Sequence, residues 1–506
     1  MDVANDLMQQ RLQKLVLLRQ QGIEPYGGRF DKPQLISQIR EAYAQDAPVR
    51  VAGRLVARRQ HGRIIFGDLR DQTGKIQLWL RPEQLGDAAF DQCNAWLDIG
   101  DFLGVVGTLC KTRTGEITVS VTALTPLAKN LRPLPEKWHG LKDIEVRYRH
   151  RHLDLIGNPE VIGQFLQRSR LVRSVREFLD ARGFVEVETP VLQPLAGGAT
   201  GQPFVTHHEA LDADLFLRLA PELYLKRLLV GGFERVYEIG KSFRNEGLSP
   251  RHNPEFTMLE LYQAYADCQV MMELTETLVC EAAQRLGLGT TITFRGRQID
   301  LTPPWERRSF AEQMERLFDI RPGDSLDVWQ RKLDEGRKQH RLGAKLELSE
   351  ASKAQGKITR SALSSLVEDL ISPSEQEGRP VFVTDFFTEF SPLAKSRPDR
   401  PELVERFELF IGGMEIANAY SELNDPVEQR RRFEQQVAED PERQVDEGFL
   451  EALECGMPPA GGLGIGIDRL AMLLTSQEAI KDVILFPQLR QEEKQERPQS
   501  TVHGQS

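Results

Sequence analysis

The stretch that most restricts what this chain can become is 236–264, VYEIGKSFRNEGLSPRHNPEFTMLELYQA. Two runs of alternating character, 236–246 and 255–264, flank GLSPRHNP, which is rich in turn-forming residues. That is the pattern of a long-looped β-hairpin. Side chains alternate between the faces of a strand, so Glu238, Gly240, Ser242, Arg244 and Glu246 share one face of the first run. Tyr237, Ile239 and Phe243 take the other. In the second run Phe256, Met258, Glu260 and Tyr262 lie together. A face of Arg, Glu, Phe and Tyr makes a poor core and a poor solvent surface; it suits a flat, polar, anionic ligand. Arg251 and His252 in the loop add two groups fitted to phosphate oxygens. An amphipathic hairpin with scattered ion pairs would share single residues of this pattern, so the specific signal is FRNE followed by RHNPEF.

Two later stretches belong with it. RFELFIGGMEIANAYSELNDP, 406–426, reads as a second hairpin. A two-residue turn at Gly412 and Gly413 pairs Phe410 with Glu415 and sets Glu408 diagonally beside Glu415. Carboxylates that close repel and need a cation; a magnesium ion that also bridges phosphates takes such ligands and keeps its waters. Asn418, Tyr420 and Glu422 have the opposite parity and reach the same site only through a bulge or a helix starting near Ser421. In GGLGIGIDRLAMLLT, 461–475, Gly462, Gly464 and Gly466 leave one strand face bare, which permits close approach by a flat ligand. A dinucleotide fingerprint fits poorly, because the later glycine and the βαβ frame are missing. Between the hairpins and the N-terminal half, 197–232 combines a Gly-rich loop, a strand at 215–219 and a helix from Pro221. Glu222 sits at that junction, where first-turn carboxylates commonly cap.

Earlier in the chain, 50–127 holds five short strands separated by HG, QTG and RTG turns, the pattern of a small barrel, with an OB-fold foremost. Six arginines (50, 54, 58, 59, 63 and 70) stand against Asp68 alone, in a chain of net charge −10. Phe66 and this basic strand supply the stacking surface and charge that single-stranded nucleic acid requires, although a structural barrel with a basic rim would share them. Residues 5–22 read as an amphipathic helix with Met8, Leu12, Leu15 and Val16 on one stripe. Residues 159–181 form another helix, followed by a strand in GFVEVETPVLQP. Residues 322–370, including the basic SKAQGKITR, carry no motif. No apolar run approaches the roughly 18 residues of a membrane span. The five scattered cysteines contain no CxxC and fit a reducing cytoplasm.

FRNE…RHNPEF resembles motif 2 of the class II aminoacyl-tRNA synthetases. The helix–strand–Pro190 unit resembles motif 1, and GGLGIGIDR resembles motif 3. The wording throughout is similar to the lysyl enzymes. The resemblance implies an α+β fold: a mostly antiparallel catalytic sheet flanked by helices, preceded by an anticodon-binding OB-fold. Its domains fall at 1–49 (helical extension), 50–130 (OB-fold), 131–155 (linker), 156–490 (catalytic) and 491–506 (disordered tail). It also implies a homodimer built on motif 1, and substrates ATP, L-lysine and tRNA(Lys) with Mg²⁺. By the motif match, Arg244 and Arg469 are catalytic. Glu246, His252, Asn253 and Phe256 join them around ATP, and Glu408 and Glu415 hold Mg²⁺. Gly198, Glu222, Glu260, Tyr262, Asn418, Tyr420 and Glu422 take lysine, while Arg58, Phe66 and Gln77 face the anticodon. Aspartyl relatives carry Gln and Lys where this chain has Glu222 and Leu225, so the site has lost a positive charge and gained a negative one. That disfavours an aspartate or asparagine enzyme. The barrel likewise disfavours the lysine ligase paralogue that modifies an elongation factor, and the Arg244, Glu408, Glu415, Arg469 set disfavours a non-catalytic OB-fold binding protein.

Overall fold

The computed structural model describes residues 3–31, 34–134, 143–199, 201–325, 327–329, 331–333, 335, 373, 376–439 and 444–490. SKAQGKITR and the tail 491–506 lie outside them. The chain forms two compact units, 1–162 and 163–506.

In the first unit, β1 (Pro48–His61), β2 (Ile64–Arg70), β3 (Lys75–Leu80), β4 (Phe102–Lys111) and β5 (Ile117–Ala128) close a barrel in the order β1-β2-β3-β5-β4. Alternation drives it: Val49, Val51, Leu55, Ile65, Leu69, Ile76, Leu78 and Leu80 point inward and are buried. The helix Asp87–Trp96, unread in the sequence, adds Phe90, Cys93 and Trp96 to the same core. The N-terminal helix Val3–Gln20 buries Leu15 and Leu18, whereas Val16, expected on the packed stripe, is 51% exposed. Two helices, Ile144–Arg149 and Arg151–Gly157, stand where a linker is expected. They hold by polar contacts rather than apolar period: Asp143 caps the first, and buried Asp154 binds Arg147 and Arg151.

The second unit is organised on an eight-stranded sheet. Its strands are β6 (Val185–Glu186), β10 (Arg235–Phe243), β11 (Glu255–Ala264), β14 (Glu306–Ser309), β15 (Val381–Thr384), β16 (Arg406–Ile411), β17 (Met414–Ser421) and β18 (Ala460–Gly466). They run in the order β14-β15-β16-β17-β18-β11-β10-β6, with only the outer pairs β14–β15 and β6–β10 parallel. A three-stranded sheet of β7 (Leu192–Gln193), β8 (Phe204–His208) and β9 (Ala213–Leu217) and a hairpin of β12 (Thr291–Phe294) and β13 (Arg297–Asp300) accompany it. One face buries Tyr237, Leu259, Leu261, Leu409, Ala417, Ala419, Leu463 and Ile465 in a core shared with the helix Cys268–Arg285. The opposite parity of the same strands is polar.

Candidate active site

One row of paired residues crosses five strands of that polar face: Glu408 on β16, Asn418 on β17, Gly464 on β18, Glu260 on β11 and Glu238 on β10. The next row is Arg406, Tyr420, Gly462, Tyr262 and Val236. The first hairpin thus keeps its expected alternation, except that the first strand ends at Phe243, so Arg244 and Glu246 belong to the loop. The second hairpin turns at Gly412 and Gly413, both at positive φ (58° and 72°), as a tight two-residue turn demands. Phe410 pairs with Glu415, but Leu409 pairs with Ala417, leaving Ile416 as an extra residue. That bulge brings Asn418 and Tyr420 onto the face of Glu415 and sets Glu408 opposite Asn418 rather than diagonal to Glu415.

At one end the face is acidic. Glu222, Glu260 and Glu422 are all buried, and the hydroxyls of Tyr262 and Tyr420 donate to Glu260 Oε2 (3.1 Å) and Glu222 Oε1 (2.5 Å). Gly198 adjoins: a Cβ there would stand 3.4 Å from that of Glu222. Burial, reinforced by neighbouring carboxylates, pushes Glu260 and Glu422 up to about 8 from the ordinary 4.5. Burial also raises both tyrosines, keeping them hydroxyl donors. Among the described residues neither Glu422 oxygen receives a hydrogen bond; Oε2 meets Lys226 as an ion pair, and Oε1 has no such partner. Glu238, in the same row, is committed elsewhere: buried Arg218 donates to it at 2.5 Å and Thr189 donates through both N–H and hydroxyl.

The other end is cationic. Arg244 lies 5.3 Å from the Phe256 ring centre, and its buried Nε has no partner. Arg469 donates to the Glu415 backbone and carboxylate oxygens, each at 2.9 Å, and approaches His252 Nε2 at 3.1 Å. Burial and then Arg469 lower the His252 pKa below its ordinary value. Burial would raise Glu415, yet Arg469, Arg244 and Arg406 together bring it below the ordinary value. Asn253 is a brace: its amide donates to Glu255 O (2.6 Å) and accepts from Gln488 N (3.3 Å), so neither end faces the site. Glu246 is exposed, its Oε1 3.1 Å from where a Cβ on Gly201 would stand. Glu408 is buried and ion-paired with Arg406. Glu415 and Glu408 therefore each face an arginine, at the two positions where the sequence pattern called for Mg²⁺. Among the described residues no group of three or more His, Cys, Asp or Glu is arranged to hold a metal.

On the barrel, Phe66 pairs with Trp79 and Asp68 with Gln77 across β2 and β3, so Phe66 and Gln77 occupy one outward face. The Phe66 and Trp79 rings lie 6.0 Å apart at 12°, and Gln77 Oε1 accepts from Thr118 at 2.9 Å. Arg58 does not join them. It pairs with Gly67, on the inward parity, and donates to Asn94 of the helix Asp87–Trp96 at 2.5 Å. The reason is a bulge between Leu55 and Ala57, which places Arg59 opposite Phe66 instead. Arg59 in turn pairs with Asp68 at 3.2 Å, and Arg63 pairs with Asp87 and Asp91, so part of the basic run is neutralised locally.

Four polar side chains at the site escaped the sequence reading: Lys226, Arg406, Arg218 and Asp468. Lys226 follows Glu222 by one helical turn, a spacing that usually marks a surface pair. Asp468, beside Arg469 in the helix Ile467–Leu474, accepts from Arg168 (2.6 Å) and the Thr257 backbone (2.7 Å), tying the helix Glu160–Asp180 and β11 to the helix that follows the glycine strand. Residues 49–127 match the OB-fold nucleic acid binding domain, and residues 143–490 match the tRNA synthetases class II (D, K and N). The chain is similar to the lysine–tRNA ligase of Moorella thermoacetica, 50% identical over 501 residues, covering 97% of this chain and 99% of that one. To that of Carboxydothermus hydrogenoformans it is 50% identical over 494 residues, covering 96% and 98%. To that of Halalkalibacterium halodurans it is 46% identical over 505 residues, covering 96% and 97%. With likeness of that extent running through both the barrel and the sheet, the chain belongs to the class II lysine–tRNA ligases.

Proposed function

We propose that the sheet face activates L-lysine with ATP to lysyl-adenylate and passes the lysyl group to the 3′ end of tRNA(Lys), whose anticodon the barrel reads. The observation that carries this is the juxtaposition of opposites on one face. A buried pocket of three carboxylates and two tyrosines shares a sheet face with Phe256 and Glu415, which Arg244 and Arg469 meet, and Arg469 in turn approaches His252. Lysine brings two ammoniums to the first and ATP brings phosphates to the second. Glu260, Tyr262 and Glu422 receive the side-chain ammonium, and Glu222 the α-ammonium, with Gly198, Asn418 and Tyr420 lining the pocket. Arg244 holds the α-phosphate, Phe256 and Arg469 enclose the adenine, Glu246 meets its amino group and His252 meets the γ-phosphate.

The lysine carboxylate attacks the α-phosphorus in line and pyrophosphate leaves. The terminal ribose hydroxyl of the tRNA then attacks the adenylate carbonyl carbon and AMP departs. No protein nucleophile enters either step, so catalysis is positioning plus charge neutralisation. Glu408 and Glu415 would hold Mg²⁺, which when bound neutralises phosphate charge. Two carboxylates fit an ion that draws its remaining ligands from phosphate and water. Exposed Leu166, Val185, Val191 and Leu192, in and after the helix Glu160–Asp180, support a homodimer formed through this region. The five free thiols accord with a cytoplasmic enzyme, and no helix among the described residues is long and apolar enough to cross a membrane. ATP–pyrophosphate exchange measured with each of the twenty amino acids tests the reading. Lysine alone should drive it, and exchange driven by aspartate or asparagine would overturn it.

A further inference from the structure

Lys226 lies in the helix Glu222–Val230 with no exposed surface, and its ammonium sits between two carboxylates from segments far apart in the chain. It donates to Glu222 Oε1 at 2.7 Å and is ion-paired with Glu422 through Oε2. The Tyr420 hydroxyl donates to the same Glu222 oxygen, and the Lys226 ammonium lies 5.4 Å from the Tyr420 ring centre. The two contacts thus occupy one oxygen of each carboxylate. Glu422 Oε1 stays free of donors, held over Gly462, where a Cβ would come within 1.9 Å of it. Among the described residues, the side-chain donor to Glu260 is the Tyr262 hydroxyl.

Three buried carboxylates in one pocket repel one another, and a buried ammonium is tolerated only where paired. We propose that Lys226 is a positioning residue for the substrate. By engaging Glu222 Oε1 and Glu422 Oε2, it fixes the remaining oxygens as two separate ammonium subsites, one at Glu222 and one shared by Glu422 and Glu260. The inference rests on lysine being the amino acid activated. It explains why an acidic pocket for a dibasic substrate contains a lysine of its own: without it, the two glutamates would turn apart or take up protons. The charged and titratable groups around it are Glu222, Glu422, Glu260, Tyr420 and Tyr262, with Glu238 and Arg218 behind Glu260. Burial would lower the Lys226 pKa, but Glu222 and Glu422 outweigh it and carry it up, so the ammonium stays charged.

The test uses the full chain with Lys226→Met, which keeps the stem and removes the charge, and Lys226→Gln, which keeps a donor without charge. Should the first not fold, the second carries the same measurement. Lysine-dependent exchange is followed from pH 6 to 9.5, with the KM for ATP measured in parallel. The KM for lysine should rise by about tenfold or more, the value expected when one charge-assisted contact is lost. The KM for ATP should stay within about twofold, and the acid limb of kcat/KM for lysine should move about one unit higher, because both glutamates lose their counter-charge. An unmoved acid limb, or equal rises in both KM values, would assign Lys226 to packing alone. If wild type shows no lysine-dependent exchange, the substrate reading fails and this role falls with it; if only the variants behave as wild type, the role alone falls.

Discussion

Glu422 carries a carboxylate where burial opposes one. Burial pushes it and Glu260 up to about 8, so each resists ionisation far more than an exposed carboxyl does. An ammonium requires the ionised form, so lysine should bind more tightly as pH rises towards about 8 and level off above it. For stability the sign is the reverse. A carboxyl raised from 4.5 to about 8 disfavours the folded form increasingly across that window. Lysine should therefore raise the melting temperature more at pH 8 than at pH 6, and equal shifts would contradict the assignment. Glu422→Gln removes a charge-assisted bond worth about 1.5–3 kcal/mol, which is about tenfold to a hundredfold in lysine affinity. Exchange assays should show this with the KM for ATP nearly unchanged; an unaltered lysine requirement would remove Glu422 from the site. Glu408→Gln should raise the Mg²⁺ needed for adenylate formation and slow it by about tenfold. Wild-type behaviour at limiting Mg²⁺ would leave Glu408 as no more than the partner of Arg406.

The elements make sharper demands than their residues. Gly462 and Gly464 look alike in the sequence, as two bare positions on one strand face. Their surroundings differ. A Cβ at Gly462 would meet Glu422 Oε1 at 1.9 Å and the Tyr262 ring at 2.5 Å, whereas at Gly464 its nearest neighbour would be the flexible end of Met258 at 3.3 Å. Gly462→Ala should therefore displace Glu422, abolish most lysine-dependent exchange and cost about 1–3 kcal/mol by overpacking. Gly464→Ala should be milder on both counts, and thermal melts with lysine KM values would show whether it is. Alternation and turn residues made the two hairpins, the barrel and the glycine strand legible, because those signals are local. The Ile416 and Val56 bulges were not, since β17 and β1 are bent by their partners rather than by their own composition. The first bulge decided between the two ways left open for Asn418 and Tyr420; the second turned Arg58 away from Phe66. Arg218 was missed because its carboxylate, Glu238, comes from another strand, and Lys226 and Arg406 because pairs with Glu222 and Glu408 at such short spacing usually mark a solvated surface.

At the scale of the whole molecule, RNA reading and adenylate chemistry are assigned to separate compact units, 1–162 and 163–506. Removing the Phe66 ring takes away a stacking surface worth about 1–3 kcal/mol per base. Phe66→Ala should therefore lower charging at limiting tRNA by about tenfold and recover partly as tRNA is raised, while leaving tRNA-independent exchange within about twofold of wild type. Equal losses in both assays would mean that the barrel supports the site structurally. In the other unit, on the function proposed above, a buried acidic pocket whose Glu260 and Glu422 are pushed up to about 8 receives the ammoniums of lysine. Calorimetric titration of lysine into the ATP-free protein at pH 7, in two buffers of different ionisation enthalpy, counts the protons exchanged on binding. Release of about one proton or more is the predicted result, since Glu260 and Glu422 must ionise to hold the ligand. Binding without proton release, or no binding of lysine at all, would contradict it.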